Sequence, residues 1–279
     1  MRGRLPEHPA VERSLGLMCG AGTLPARMAM EARRQGWRVV ALVFGDSPGV
    51  GVHAERVIPS RLTELGAVLQ ALTAERVAAV LLAGKFWAQD VLGARRADAT
   101  FVGMAARAGA LTEVRMLDVI VTKLAEVDIA LLDQRGFLGD GLATAGCWSS
   151  RQPTAEERRE VERGLSLARQ AAEARIGQTV VLRRGAVTAV EALEGTTEAI
   201  RRGAALAGPG AVIVKAVARD HDYRFDTPVI GPESLEAAAA GRASVVAVEA
   251  GRVLIVDREA CVRHADLAGI AFVGVEDAG

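Results

Sequence analysis

Three carboxylates, Asp220, Asp222 and Asp226, fall within seven residues in the stretch KAVARDHDYRFDTPVIG that runs from Lys215 to Gly231, with His221 and Arg224 between them. Acids packed this closely repel one another unless a cation, an arginine or a proton offsets them. The apolar run AVIVKAV reads as a buried strand, so the acids gather near a strand end. That arrangement suits a divalent cation and a phosphate-bearing substrate. The same composition also suits a solvated, charged turn.

Other polar groups sit at comparable places. Gly20-Ala21-Gly22 lies between an apolar strand and a helix, where glycines let a backbone approach a phosphate or a sugar, or simply make a tight turn. Pro25 stands where a dinucleotide fingerprint has its third glycine, and Asp46 falls past Gly45 rather than at the strand end, so a dinucleotide is not expected. Lys85 follows Ala83-Gly84 at the end of VAAVLL, where open parallel sheets place ligands; it reads as a phosphate contact or a surface lysine. Glu191, Glu194, Gly195 and Thr196 close a strand and open a helix, as substrate contacts or as helix-capping groups. Gln178 and Lys215 are polar groups flanking apolar strands. Phe86 and Trp87 line a pocket or simply pack. His8, His53 and His264 have no partner in sequence. Cys19, Cys147 and Cys261 are far apart and lack metal-ligand spacing, as buried thiols would.

The elements that must position these groups fall into two halves. The first alternates strand and helix: Leu15–Cys19, helix Ala26–Gln35, strand Trp37–Phe44, helix Leu62–Thr73, strand Val77–Leu82, helix Thr112–Glu126 and strand Val127–Leu132. Alternation of this kind predicts a Rossmann-like parallel sheet. Glycines 136, 139, 141 and 146, with Pro153, mark a linker. Thr154-x-x-Glu157 then reads as a capping box. The second half reads as a mixed α/β domain with hairpins at Arg183-Arg184-Gly185 and Ala250-Gly251, and helices Thr197–Ala207, Ser234–Ala240 and Arg258–Ala268. The predicted domains are 1–140 and 141–279, the second carrying the Asp226 segment.

The chain has 279 residues, 34 basic and 34 acidic, which argues against a broad nucleic-acid footprint. Half the residues are hydrophobic and only 4% aromatic, so the core must be Ala, Val and Leu. No apolar run approaches the roughly 18 residues that span a bilayer. The N-terminus lacks the apolar core of a signal peptide, and a cytoplasmic protein is expected.

Several words in order, LGLMCGAGTLP, LLAGK, IGQTVVLRRGAVTAVEALEGT, VIVK, YRFDTPVIG, VVAVEAGRVLIVDRE and ADLAGIAFVGV, resemble the cytoplasmic UDP-2,3-diacylglucosamine pyrophosphatases of lipid A biosynthesis, of the non-metallophosphoesterase type. The likeness runs from Leu15 to Gly274. It implies two α/β domains with a lipid-binding cleft between them, and Mg²⁺-dependent hydrolysis of a UDP-linked acylated sugar to UMP and the acylated sugar 1-phosphate by water attack on the α-phosphorus. It implies that Asp226 of the Arg224-x-Asp226-x-Pro228 motif is essential, with Asp222 four residues upstream; both are candidate metal ligands, and Asp226 is ligand or base. Arg224 is matched to a phosphate oxygen. The diacylated substrate implies peripheral contact with a membrane, and a homodimer is a further expectation.

The chain departs from the family pattern at Ala218 to His221, at Thr197 in place of an acid, at Leu117-Asp118 in place of paired acids, and at Phe86 to Gln89 in place of a polar run. The alternative reading is therefore a relative that binds a nucleotide-sugar or lipid without turnover.

Overall fold

The computed structural model describes residues 13–86, 97–108 and 113–276. In the first part of the chain the elements are β1 (Ser14–Cys19), α1 (Leu24–Arg34), β2 (Arg38–Val43), α2 (Val50–His53), β3 (Arg56–Pro59), α3 (Leu65–Ala74), β4 (Ala79–Ala83), α4 (Ala99–Ala108), α5 (Glu113–Ala125) and β5 (Ala130–Leu131). The second part runs β6 (Gly146–Cys147), α6 (Ala155–Glu173), β7 (Thr179–Arg183), β8 (Ala186–Val190), α7 (Thr196–Ala207), β9 (Val212–Lys215), β10 (Val229–Ile230), α8 (Pro232–Ala240), β11 (Val245–Glu249), β12 (Leu254–Ile255), α9 (Arg258–Ala268) and β13 (Ala271–Val275). Among the described residues no helix is long and apolar enough to cross a membrane.

Contacts divide the chain into two units. One holds residues 1–138 together with Asp222–Asp226; the other holds 139–221 and 227–279. The second half was expected to carry the whole acid motif. Its residues from Asp222 to Asp226 instead pack with the first unit.

The first unit is built on a parallel sheet in the order β3-β2-β1-β4-β5. β4 is buried at every residue, which is why its sequence, AVLLA, shows no polar alternation. β3 is an exposed edge strand, with no apolar signal to betray it. The chain builds outward from β1 to β3, then returns to the other side of β1 to lay down β4. The strand order therefore reverses between β1 and β4, where open α/β sheets receive ligands.

The loops that leave β1 and β4 are laced together. Gly20 N–H donates to the Ala83 carbonyl (2.8 Å), and Ala21 and Lys85 exchange both main-chain bonds (2.8 and 2.9 Å). A Cβ on Gly20 would stand 2.5 Å from the Lys85 carbonyl oxygen, and one on Gly84, whose φ is +87°, 2.8 Å from that of Ala21. Only glycine permits the approach.

The second unit has a mixed sheet in the order β6-β13-β11-β9-β7-β8, parallel through β13, β11 and β9 and antiparallel elsewhere. Val161, Leu165 and Ala168 of α6 pack on one face against Val180, Leu182, Val212 and Val214. Helices α7, α8 and α9 supply Ile200, Leu235 and Cys261 to the other face, against Val181 and Ile213. The capping box at Thr154 and Glu157 is present in full. The β7–β8 hairpin turns on Arg184 (φ 48°) and Gly185 (φ 78°), a left-handed pair that matches the twist of the strands.

The second expected hairpin does not form. β11 already pairs with β9 and β13, so neither edge is open to β12, which pairs in parallel with β10 instead. The linker is also more ordered than its glycines suggest, since β6 within it pairs with β13.

Gly20→Ala is expected to destabilise the protein by about 2 kcal/mol, because the new methyl meets main-chain atoms that cannot step aside. Gly103→Ala, inside α4 with no described atom within 4 Å of the added one, is expected to be neutral or to stabilise by about 0.5 kcal/mol. Urea unfolding of the two variants checks the contrast.

Candidate functional site

The candidate residues gather in two groups, one in each unit. In the first unit, Gly20-Ala21-Gly22 and Lys85 share the strand-order reversal just described. Their main chain serves the fold: the Gly20, Ala21 and Gly22 N–H groups donate to the carbonyls of Ala83, Lys85 and Asp46. A phosphate cradle made from those three N–H groups is therefore not what this turn offers. Ser47 Oγ adds a bond to the Gly20 carbonyl. Lys85 is exposed. Phe86 packs edge-on against Phe44, with ring centroids 5.9 Å apart. Trp87, Ala88 and Gln89 lie outside the described residues, as do His8 and the side chains of Leu117 and Asp118.

The acid segment is pinned by its aromatic residues. Tyr223 is 4% exposed, its carbonyl accepts the Gln134 N–H (2.9 Å), and the Arg135 guanidinium lies 4.3 Å over its ring. Phe225 packs against the core cluster that includes Val80, Leu82 and Phe86. Between these anchors the charged side chains turn outward. Asp222 takes Arg224 Nε at 2.9 and 3.1 Å and Nη2 at 2.6 Å, and also the Arg224 main-chain N–H at 3.0 Å. Arg224 thus points its fork at Asp222; Asp220 and Asp226 are both exposed, Asp220 accepting from Arg175 Nη2 at 3.1 Å.

Residues that the sequence did not flag join this group. Asp133 and Arg135 follow β5 and form a bidentate pair (2.5 to 3.1 Å). Burial pushes the Asp133 carboxyl up, the Arg135 hydrogen bonds pull it down further, and the group ends below the usual carboxylate range, with Asp222 opposing slightly. Nearly ninety positions separate Asp133 from Asp222 along the chain. The only local signal was that polar residues follow an apolar strand.

In the second unit the structure brings four predicted residues together. Lys215, 3% exposed at the end of β9, donates to Thr196 Oγ1 (2.7 Å) and stands 3.7 Å from Glu191 Oε2. Thr196 Oγ1 donates to Glu191 Oε1 (2.8 Å), and Gln178 N–H donates to Glu191 Oε2 (3.3 Å). Thr179, paired with Lys215 across the ladder, buries its hydroxyl fully, with no hydrogen-bond partner for it among the described residues. Gly195 takes a positive φ as the N-cap of α7. Glu194 turns away to Arg202 (2.5 Å), which holds its carboxyl below the usual range. Thr197, where the resembling family has an acid, meets Ser234 side chain to side chain at 3.4 Å.

Two family models cover this chain: the LpxI N-terminal domain matches residues 14–140 and the LpxI C-terminal domain residues 144–273. The chain belongs to the LpxI family. The UDP-2,3-diacylglucosamine pyrophosphatase LpxI of Caulobacter vibrioides is 32% identical over 283 residues, covering 95% of this chain and 98% of that protein. The boundary between the LpxI domains coincides with the change from parallel to mixed sheet. The LpxI C-terminal span nevertheless includes Asp222–Asp226, the residues that pack with the first unit.

Among the described residues no group of three or more His, Cys, Asp or Glu side chains is placed to hold an ion. Asp222, expected as a metal ligand, has both oxygens on Arg224, whereas Asp226 suits the single-carboxylate role that Mg²⁺ accepts alongside waters and substrate phosphates.

Lys215→Met leaves the Glu191 carboxylate buried beside an apolar chain and is expected to cost about 3 kcal/mol, much of it recovered when Glu191→Gln is added. Urea midpoints of the single and double variants measure this. A neutral single variant would mean that the ammonium and the carboxylate do not depend on each other.

Proposed function

We propose that this chain hydrolyses the pyrophosphate of UDP-2,3-diacylglucosamine, or of a closely related UDP-linked acylated sugar. Water attacks the α-phosphorus, the bond to the bridging oxygen breaks, and UMP and the acylated sugar 1-phosphate leave. The observation that carries this is the near full-length likeness to the Caulobacter vibrioides enzyme, joined to an Arg224-x-Asp226-x-Pro228 motif with an exposed aspartate.

The chemistry needs a group that orients the water and cations that offset charge growing on the phosphoryl oxygens. Asp226 supplies the first: its carboxylate is exposed, on a segment whose neighbours on either side are held by packing. We assign it the acceptance of the water proton or the holding of Mg²⁺. When bound, Mg²⁺ would supply Lewis-acid polarisation of the phosphate. Arg224, its guanidinium oriented by Asp222, is assigned contact with a phosphate oxygen. Lys85, and Lys215 with its Thr196, Glu191 and Gln178 partners, are assigned to substrate binding, while the Gly20-Ala21-Gly22 main chain, engaged with the loop after β4, shapes the turn beside Lys85. Peripheral contact with a membrane follows from the acyl chains of such a substrate.

Ligand binding without turnover is favoured by one observation: Thr197 is engaged with Ser234 where the family has an acid. A single assay separates the readings. Wild-type protein with UDP-2,3-diacylglucosamine and Mg²⁺ is expected to release UMP, and Asp226→Ala to lower that rate by at least about 10²-fold. Because Asp226 is exposed, its removal is expected to leave the melting temperature within about 2 °C. A folded wild type that releases no UMP would support the binding reading, and a large drop in melting temperature would make Asp226 structural.

A further inference from the structure

The span between Lys215 and the acid segment, Ala216–Asp220, belongs to no strand, and Val217 and Ala218 are buried. Buried main-chain groups need partners, and outside a ladder these must come from elsewhere. Ala216 N–H donates to the Gln178 carbonyl at 2.9 Å, and side chains provide the partners that follow. Glu249 ends β11 at 2% exposure, and its Oε2 accepts the Val217 N–H at 2.8 Å. Its Oε1 takes Arg169 Nη2 of α6 at 3.0 Å and Arg252 Nη1 at 3.3 Å. Arg252 Nη2 then reaches the carbonyl of Ala218, and that of Arg219 at 3.4 Å. The Ala218 carbonyl also accepts the His221 N–H at 3.1 Å, closing the turn that leads to Asp222.

A buried ion pair adds little net stability over well-packed apolar residues. What this one adds is direction: three main-chain atoms of one span each meet a named side-chain atom. We infer that Glu249 and Arg252 are positioning residues for the hydrolysis, fixing the course of Val217–Arg219 and so the point from which the chain delivers Asp222, Arg224 and Asp226. Neither side chain is assigned contact with substrate. The inference rests on the function proposed above. It explains why a carboxylate and one guanidinium are buried, and a second guanidinium half-buried, against the end of an apolar sheet, and why the departures from the family pattern at Ala218–His221 are compatible with an ordered segment: the hold on Ala218 and Arg219 is on carbonyl groups, which any residue supplies.

The test compares wild type with Arg252→Ala, Arg252→Lys and Glu249→Gln, by amide hydrogen exchange and by UMP-release kinetics. Arg252→Lys keeps a cation for Glu249, but its single ammonium does not reproduce the planar fork that meets the carboxylate and two carbonyls. Each variant is expected to speed exchange by about 10-fold across residues 216–226 with the sheet unchanged, as loss of a charge-assisted bond implies. Each is also expected to lower kcat by about 10-fold with KM within about 2-fold, since a displaced catalytic segment loses transition-state contacts rather than ground-state binding. Exchange that is unchanged, or that rises across the whole second unit, would overturn the inference, as would local loosening with full kcat. Should Arg252→Ala fail to fold, the other two variants carry the comparison. A wild type without UMP release would sink the proposed reaction, and with it the catalytic half of the inference, while the exchange pattern would still decide whether Glu249 and Arg252 anchor the span.

Discussion

Charge buried at the ends of an apolar sheet is the constraint on which the second unit depends. β9 and β11 are buried along their whole length, yet each finishes on an ionisable residue, Lys215 and Glu249, and β8 leads directly into Glu191. Taking such groups out of water costs several kcal/mol each unless a partner of opposite sign and further hydrogen bonds replace the solvent. The fold answers with two closed sets, Lys215–Thr196–Glu191 on the side of α7 and Glu249–Arg169–Arg252 on the side of α6. Each set leaves its members little freedom, and that rigidity is what a site for a charged substrate requires.

The first unit meets a different demand. Its strand order reverses between β1 and β4, a place where loops usually part, yet Gly20 and Gly84 allow these loops to bond to each other. The acid segment is added to this unit through Tyr223 and Phe225, two of the few aromatic residues in a chain whose aromatic content is 4%. Apolar residues thus fix the segment's backbone, and its alternate residues, Asp222, Arg224 and Asp226, carry the charge. Pairing of Asp222 with Arg224 offsets two of those charges locally, and the Asp226 side chain is exposed.

Much of the fold was legible along the chain, for a physical reason in each instance. Continuous runs such as RVVALV and AVLLA declared β2 and β4, because strands buried on both faces carry no polar alternation. Thr154 and Glu157 declared the start of α6, and Arg184-Gly185 the first hairpin, because caps and turns are local chemistry. The second hairpin misled, since Ala250-Gly251 does make a turn, but the free edge a hairpin needs is a property of the whole sheet. β3 passed unnoticed as an exposed edge. At the site, the cluster Gln178, Glu191, Thr196 and Lys215 could be named from strand and helix ends, whereas the pairing that binds it could not. Asp133 and Arg135 escaped because only the return of the chain at Tyr223 brings them to the acid segment. The glycine turn after β1 offered two uses of one pattern, close approach to a ligand or to another loop, and its hydrogen bonds show the second.

The reaction proposed is attack of a water molecule on the α-phosphorus of a UDP-linked acylated sugar. It is tested most directly by running the hydrolysis in water enriched in the heavy oxygen isotope and weighing both products. One heavy oxygen is expected in UMP and none in the acylated sugar 1-phosphate. Label in the sugar phosphate instead would place the attack on the other phosphorus and contradict the account.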